Sequence, residues 1–226
     1  MVSCHSSTNY NIINMIPGPA NVLNCPFCGG EKEVMSLISG NTFGGTVWSD
    51  TRREYPMLPE VSPIQQCPHC KKFYFVEQAK HEYNNKKESF DLGTLSFVQL
   101  KEAKSQMDGM SLAKMQRWIL NHEYFMAYND AFRRNPEKVA FPPSEEDEAL
   151  YQQVIKELLD GIDHSADYEL FHAELLRETG RFEEAKEVLF RHKSEEDKWV
   201  VDAMLRHIND EDTMPFLLIE KGEVIE

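Results

Sequence analysis

Four cysteines stand in two Cys-Pro-x-Cys turns, CPFC at 25–28 and CPHC at 67–70, with 38 residues between them. Each turn presents two sulfurs to one point. Two such turns complete the tetrahedral S4 set that closed structural Zn2+ sites use. Thiolates favour zinc or iron over magnesium or calcium. Pro26 and Pro68 restrict the turns, and Gly29-Gly30 lets the chain fold around the first pair of sulfurs. The reading is one structural Zn2+ held by Cys25, Cys28, Cys67 and Cys70. Four sulfurs fill the coordination sphere, whereas a catalytic zinc keeps an open position. No enzymatic role is therefore expected.

Two other chemistries fit a Cys-x2-Cys turn. A thioredoxin-type dithiol opens a helix after a buried strand, but CPHC is followed by KKFYFV, a strand pattern, and preceded by the Pro-interrupted MLPEVSPIQQ. A thiol redox switch, releasing zinc as Cys25–Cys28 and Cys67–Cys70 disulfides form, stays open as an alternative. Zinc ribbons also bind nucleic acids through backbone charge and base stacking, and Lys71-Lys72 beside Phe73, Tyr74 and Phe75 is a basic-aromatic patch. A nucleic-acid or ribonucleoprotein role is the second alternative. Cys4, next to His5, has no spacing partner.

The segment between the knuckles contains SGNTFGGTVWSD at 39–50. It lacks the G-x4-G-K-[ST] pattern of a phosphate loop and reads as a hairpin with Gly-rich turns. Trp48, Asp50, Arg52 and Arg53 make its end a candidate binding surface, since loops on rigid scaffolds often carry function. Lys71 and Lys72 extend that candidate surface. His122, on a helical stripe, reads as a core histidine with one hydrogen-bond partner. His164 and His172 lack acidic partners at ligand spacing. The acidic runs 145–147, 195–197 and 210–212 lack the ligand alternation of a Ca2+ loop.

The elements that must hold these residues divide the chain. Residues 1–24 read as an irregular leader. Residues 25–95 form a zinc-ribbon-like β domain with a long insert, its strands expected at VMSLIS, GTVWS and FYFV. From 96 to 226 helical periodicity takes over. SFVQLKEAKSQM is a first helix, and residues 113–134 a second, apolar on two sides and so sandwiched in the core. Pro142 and Pro143 break the chain. Ser144 then caps a third helix, with the acids behind it favouring the positive helix start. The tetrapeptide SEED at 144–147 recurs at 194–197, suggesting a repeat.

Between those copies, YELFHAELLRETGRFEEAKEVLFRH at 168–192 resembles a tetratricopeptide helix-turn-helix unit through Ala173, Leu176, Gly180, Phe182, Ala185 and Leu189. The resemblance implies an antiparallel helical hairpin, of a kind that binds proteins through a concave face. CPFCGG (25–30), the insert 39–50, QCPHCKKFYF (66–75) and LLRETGRFEEAKEVL (175–189) together resemble a family of bacterial proteins without an assigned activity. That family pairs two CPxC knuckles with tetratricopeptide-like helices. The expected fold is α+β, with a small zinc-ribbon-like β domain followed by an all-α antiparallel helical domain.

Charge bounds the partners. The chain has 226 residues and a net charge of −14. Residues 1–95 hold 8 Lys and Arg against 9 Asp and Glu, whereas residues 96–226 hold 16 against 29. Nucleic-acid affinity rests on cations meeting phosphates, so the helical half disfavours nucleic acid; a protein partner for it is what the tetratricopeptide resemblance implies. No apolar run approaches the ~18 residues of a membrane span. The first 24 residues carry no Lys or Arg and do not read as a secretory signal. Cytoplasmic placement, with reduced thiols, follows as the expectation.

Overall fold

The computed structural model describes residues 15–133, 143–162 and 168–225. Cys4, His5, Pro142 and His164 lie outside them. In chain order the strands are β1 (Ile16–Pro17), β2 (Ala20–Asn24), β3 (Glu31–Val34), β4 (Leu37–Ser39), β5 (Thr46–Trp48), β6 (Arg53–Glu54), β7 (Ile64–Gln66), β8 (Phe73–Phe75) and β9 (Lys80–Asn84). The helices follow: α1 (Phe97–Asp108), α2 (Lys114–Asn129), α3 (Glu145–Gly161), α4 (Glu169–Glu178), α5 (Phe182–Arg191) and α6 (Lys198–Asn209). Strands β10 (Leu217–Glu220) and β11 (Glu223–Val224) come last. The fold is mixed α+β, with small antiparallel sheets N-terminal and six helices C-terminal among the described residues.

Two hairpins carry the knuckles. β2 pairs with β3 around the first, with Asn24 opposite Glu31, and β7 pairs with β8 around the second, with Gln66 opposite Phe73. β9 adds to the other side of β2, with Asn24 opposite Lys80. Residues 20–24 are thus the central strand of a three-stranded sheet, which corrects the irregular reading of that stretch. Ala20 and Leu23 are fully buried. The expected single strand at VMSLIS is split, Val34 ending β3 and Leu37 opening β4.

β8 lies between two cores. Phe73 and Phe75 pack with Leu100, Leu120, Phe125, Val154 and Leu158 of the first three helices. Tyr74, pointing the opposite way along the pleat, joins Leu23, Cys25, Val34 and Cys67. All three aromatics are buried. They offer no face for base stacking, which removes the aromatic half of the basic-aromatic patch. A third core joins α4, α5 and α6 to Phe216 and Leu218.

Two helix starts, those of α1 and α3, follow serine caps. Ser96 accepts from Gln99 N–H at 3.3 Å, and Ser144 accepts from Asp147 N–H at 3.2 Å, each with a reciprocal side-chain bond from the third helical residue. The second SEED is different. Ser194 accepts from Asp197 N–H at 3.3 Å, but α6 starts only at Lys198. The suggested repeat is therefore not one of structure. The buried residues of α2 cluster from Leu120 to Asn129. Its first turn is not sandwiched, since Met115 is exposed.

The antiparallel α4–α5 hairpin forms where the pattern places it. Ala173 and Ala185 are fully buried at its contact, and Gly180 takes φ +73°, the left-handed conformation that glycine adopts without a Cβ penalty. His192, at the end of α5, bonds Glu169 at 2.9 Å through Nδ1 and Asp197 at 3.0 Å through Nε2. Burial alone would lower its pKa, but the two carboxylates outweigh burial and hold it above the ordinary value.

The C-terminal segment is not all-α, a second correction. β10 runs antiparallel to β5, with Leu217 opposite Trp48, in the four-stranded order β11-β10-β5-β6. The insert between the knuckles and the end of the chain therefore share one sheet. Arg177 steers the chain there. Its guanidinium binds Glu174 in two bonds of 2.7 and 2.8 Å, reaches the carbonyls of Asp212 and Met214, and lies over the Phe216 ring.

A buried polar cluster ties the insert to the helices. Asp50 is fully buried and meets the Arg133 guanidinium in two contacts of 2.5 Å. Asn129 donates to Asp50 at 3.1 Å and to Glu178 at 2.9 Å, and the Tyr151 hydroxyl also bonds Glu178. Burial, with the nearby carboxylates of Glu174 and Asp50, raises the Glu178 pKa well above the usual range. Removing one member of a buried pair leaves the other charged and unsatisfied, at a cost of about 3–5 kcal/mol. Asp50→Ala should therefore destabilise the chain by about that amount. Urea denaturation checks this, and a loss below about 1 kcal/mol, the surface-pair range, would sink it.

Candidate functional site

The four cysteine sulfurs lie within 4.8 Å of one another. Cys25 Sγ is 3.8 Å from Cys70 Sγ, and Cys28 Sγ is 3.6 Å from Cys67 Sγ. Tetrahedral bonds of about 2.3 Å would separate sulfurs by about 3.8 Å, so the four sulfurs lie close enough to hold one metal ion. The sulfur contacts cross between the knuckles, so any metal here would join the two hairpins.

The turns are near copies. Gly29 N–H donates to the Cys25 carbonyl at 2.8 Å, and Lys71 N–H donates to the Cys67 carbonyl at 3.0 Å. Gly29 takes φ +70° and Lys71 takes φ +62° in the equivalent place. Backbone amides also point at sulfur: Phe27 to Cys25 and Gly30 to Cys28 at 3.4 Å, and Cys70 to Cys67 at 3.5 Å. Such donors stabilise a thiolate. Burial pushes the Cys67 thiol up, yet the amides of Cys70 and His69, with neighbouring thiols, outweigh it and hold Cys67 at about 6. Burial keeps Cys25 up at about 11. His69 is not among the ligands. Its ring covers Gly30, where a Cβ would come within 2.4 Å of it.

The candidate binding surface separates into parts. Trp48 and Asp50 are buried and belong to the polar cluster, Arg133 lying over the Trp48 ring; they form no surface. Arg53, Lys71 and Lys72 are exposed, and Lys72 Nζ sits 5.0 Å from the centre of the Phe27 ring. Arg52 is half-buried and pairs with Asp130 at 2.9 Å.

Arg52 also marks a feature that sequence reasoning missed. A cleft of about 680 Å³ runs between the insert, the 92–95 segment, α2 and Phe171 of α4. Thr51 stands at its wall with φ +73°, an unusual conformation for a β-branched residue. Its hydroxyl meets His122 Nε2 at 2.9 Å, while the imidazole stacks on Trp118. His122 is the core histidine with one hydrogen-bond partner that its stripe suggested, but it also lines this cleft. Burial holds its pKa down at about 4, so the ring is neutral at pH 7. Glu123, the next residue, faces the same space and has no hydrogen bond or ion pair among the described residues. Burial pushes its carboxyl up to about 7, against the pull of Arg52. The adjacent His-Glu dipeptide was the available signal, but the cleft needs the insert folded back onto α2.

No family model, no curated protein and no solved structure matches this chain. Among the described residues, no helix is long and apolar enough to cross a membrane.

Glu123 has a stability consequence with a definite sign. Between its ordinary 4.5 and about 7, the folded chain holds a proton that the unfolded chain has released. Stability therefore falls as pH rises through that window, by about 3 kcal/mol in full. Glu123→Gln removes the titration. The variant should be more stable than the parent at pH 8 by about 2–3 kcal/mol, with the gain fading towards pH 4. Denaturation at the two pH values checks this; an equal gain at both would refute the assignment.

Proposed function

We propose that this chain is a zinc-stapled, non-catalytic protein-binding module. The observation that carries the reading is the convergence of four cysteine sulfurs, with contacts of 3.6 and 3.8 Å across two hairpins. An S4 set favours zinc by ligand softness and leaves no coordination position for a substrate. Zinc supplies a cross-link between hairpins whose own core is small, and its binding free energy becomes folding free energy. Cys25, Cys28, Cys67 and Cys70 are its ligands.

The helical half supplies the partner surface. The α4–α5 hairpin resembles one tetratricopeptide unit, and α5 exposes Glu183, Glu184, Glu187 and Phe190. Glu183 and Glu184 pair with Lys186 and Arg181, while Glu187 beside the exposed Phe190 ring supplies the acidic, aromatic face. Such a face suits a basic protein segment, with charge setting the encounter and the ring setting the contact. The cytoplasm, where thiols stay reduced, is the compartment this reading requires.

Protein purified under reducing conditions should contain one zinc per chain by mass spectrometric metal analysis. Chelation should expose four further reactive thiols and lower the melting temperature, and Cys67→Ser should lose the metal. Full retention of structure and thiol protection after chelation would refute the zinc staple.

The partner surface has a separate test. Proteins cross-linked to the parent chain should be lost from a Glu187→Lys/Phe190→Asp variant whose melting temperature is unchanged. Retention of the same proteins by that variant would reject this face.

A further inference from the structure

We propose that the cleft between the insert and α2 is a binding site for a small organic amine. The ammonium would sit against Glu123 and the apolar body against Trp118 and Phe171. Neither the metal centre nor the α5 face takes part.

Size and form come first. At about 680 Å³ the cleft falls within the ~300–1,000 Å³ range of small-molecule sites. Its walls come from four separate parts of the chain, and Thr51 holds an unusual backbone conformation where two of them meet. Such conformations cluster at ligand sites. Apolar lining comes from Leu58, Leu95, Met126 and Phe171, with Trp118 presenting an aromatic face.

Charge then selects the ligand. Arg52, Arg53, Glu54, Glu60, Glu123 and Asp130 are the charged lining residues, two cations against four carboxylates. The Arg52 guanidinium is engaged by Asp130. His122 spends its Nε2 on Thr51 and carries no charge at pH 7. Glu123 inside and Glu60 at the exposed rim are left without hydrogen bonds or ion pairs among the described residues. An inward carboxyl without a donor costs stability wherever it ionises, and an ammonium group supplies both the donors and the charge. Aromatic faces beside it add cation–π attraction. The chain's net charge of −14 draws cations and repels anions.

The test uses the full, metal-loaded chain at pH 8 and two probes of one shape and opposite charge, phenethylamine and 3-phenylpropionate, in calorimetric titration. Phenethylamine should bind saturably, and 3-phenylpropionate about tenfold or more weakly. Glu123→Gln keeps the shape and should lower phenethylamine affinity about tenfold or more, while leaving 3-phenylpropionate unchanged. Equal binding of both probes, an unchanged amine affinity in Glu123→Gln, or no saturable amine binding would overturn the proposal. None of these outcomes bears on the zinc content or on the α5 surface.

Discussion

A carboxylate taken out of water must be answered, and Asp50 sets that demand at the centre of this molecule. It comes from a loop in the insert between the two knuckles, and its charge is met by Arg133 beyond the end of α2. Asn129 passes the contact on to Glu178 of α4, and Tyr151 of α3 completes the cluster. One side chain from the insert thus fixes three helices. The geometry around it has little freedom, because a half-satisfied buried network is worse than an apolar core. Once Asp50 is in place, β5 lies where β10 can pair with it, and Arg52 lies where it reaches Asp130. The cleft exists because the insert is held this way.

The metal centre is coupled to the same helices by a different route. β8 is three residues long and buried on both faces. Tyr74 packs among the cysteines, while Phe73 and Phe75 pack into the helical core. Gln106 of α1 bonds both the amide and the carbonyl of Phe73, at 3.0 and 2.9 Å. A disturbance of the Cys67–Cys70 turn therefore reaches α1 through one short strand. A strand this short cannot rearrange on one face without moving the other, since successive side chains alternate across it. On the proposed reading, metal occupancy sets the position of a wall of the helical core.

Much of the local chemistry was legible in the residues. Spacing brings the sulfurs together in pairs, because each Cys-x2-Cys turn is a closed local structure, and the matched pairs point to one shared site that the fold then assembles. Ser144 caps α3 through a hydrogen bond three residues long, and the α4–α5 hairpin follows from small residues and Gly180 at helical spacing. The residues that misled depend on distant partners. Trp48 and Asp50 sit in a Gly-rich, polar stretch that reads as exposed; their burial is decided by Arg133 and by a strand about 170 residues further on. LLIE at 217–220 follows a helical region and carries no sign of its pairing with β5. Ser194 has the same neighbours as Ser144, yet its turn closes before the helix begins. Periodicity reports which face is apolar, not which element covers it.

Stability and chemistry pull in opposite directions along the cleft. A lone inward carboxyl and a β-branched residue at positive φ each oppose folding. Glutamine at 123 would end the cost of ionising there, and glycine at 51 would remove the backbone strain. The fold tolerates both features because the Asp50 cluster holds the walls from the C-terminal end of α2. Asn129 and Arg133 answer Asp50, while Trp118, His122 and Glu123 line the opening. One helix and the residues just beyond it therefore carry two kinds of polar group. Those that bind Asp50 are satisfied and closed to solvent. Along the cleft His122 is met by Thr51 but Glu123 is left open, and an open donor-poor carboxyl facing a space of ligand size is where a cationic partner would gain most.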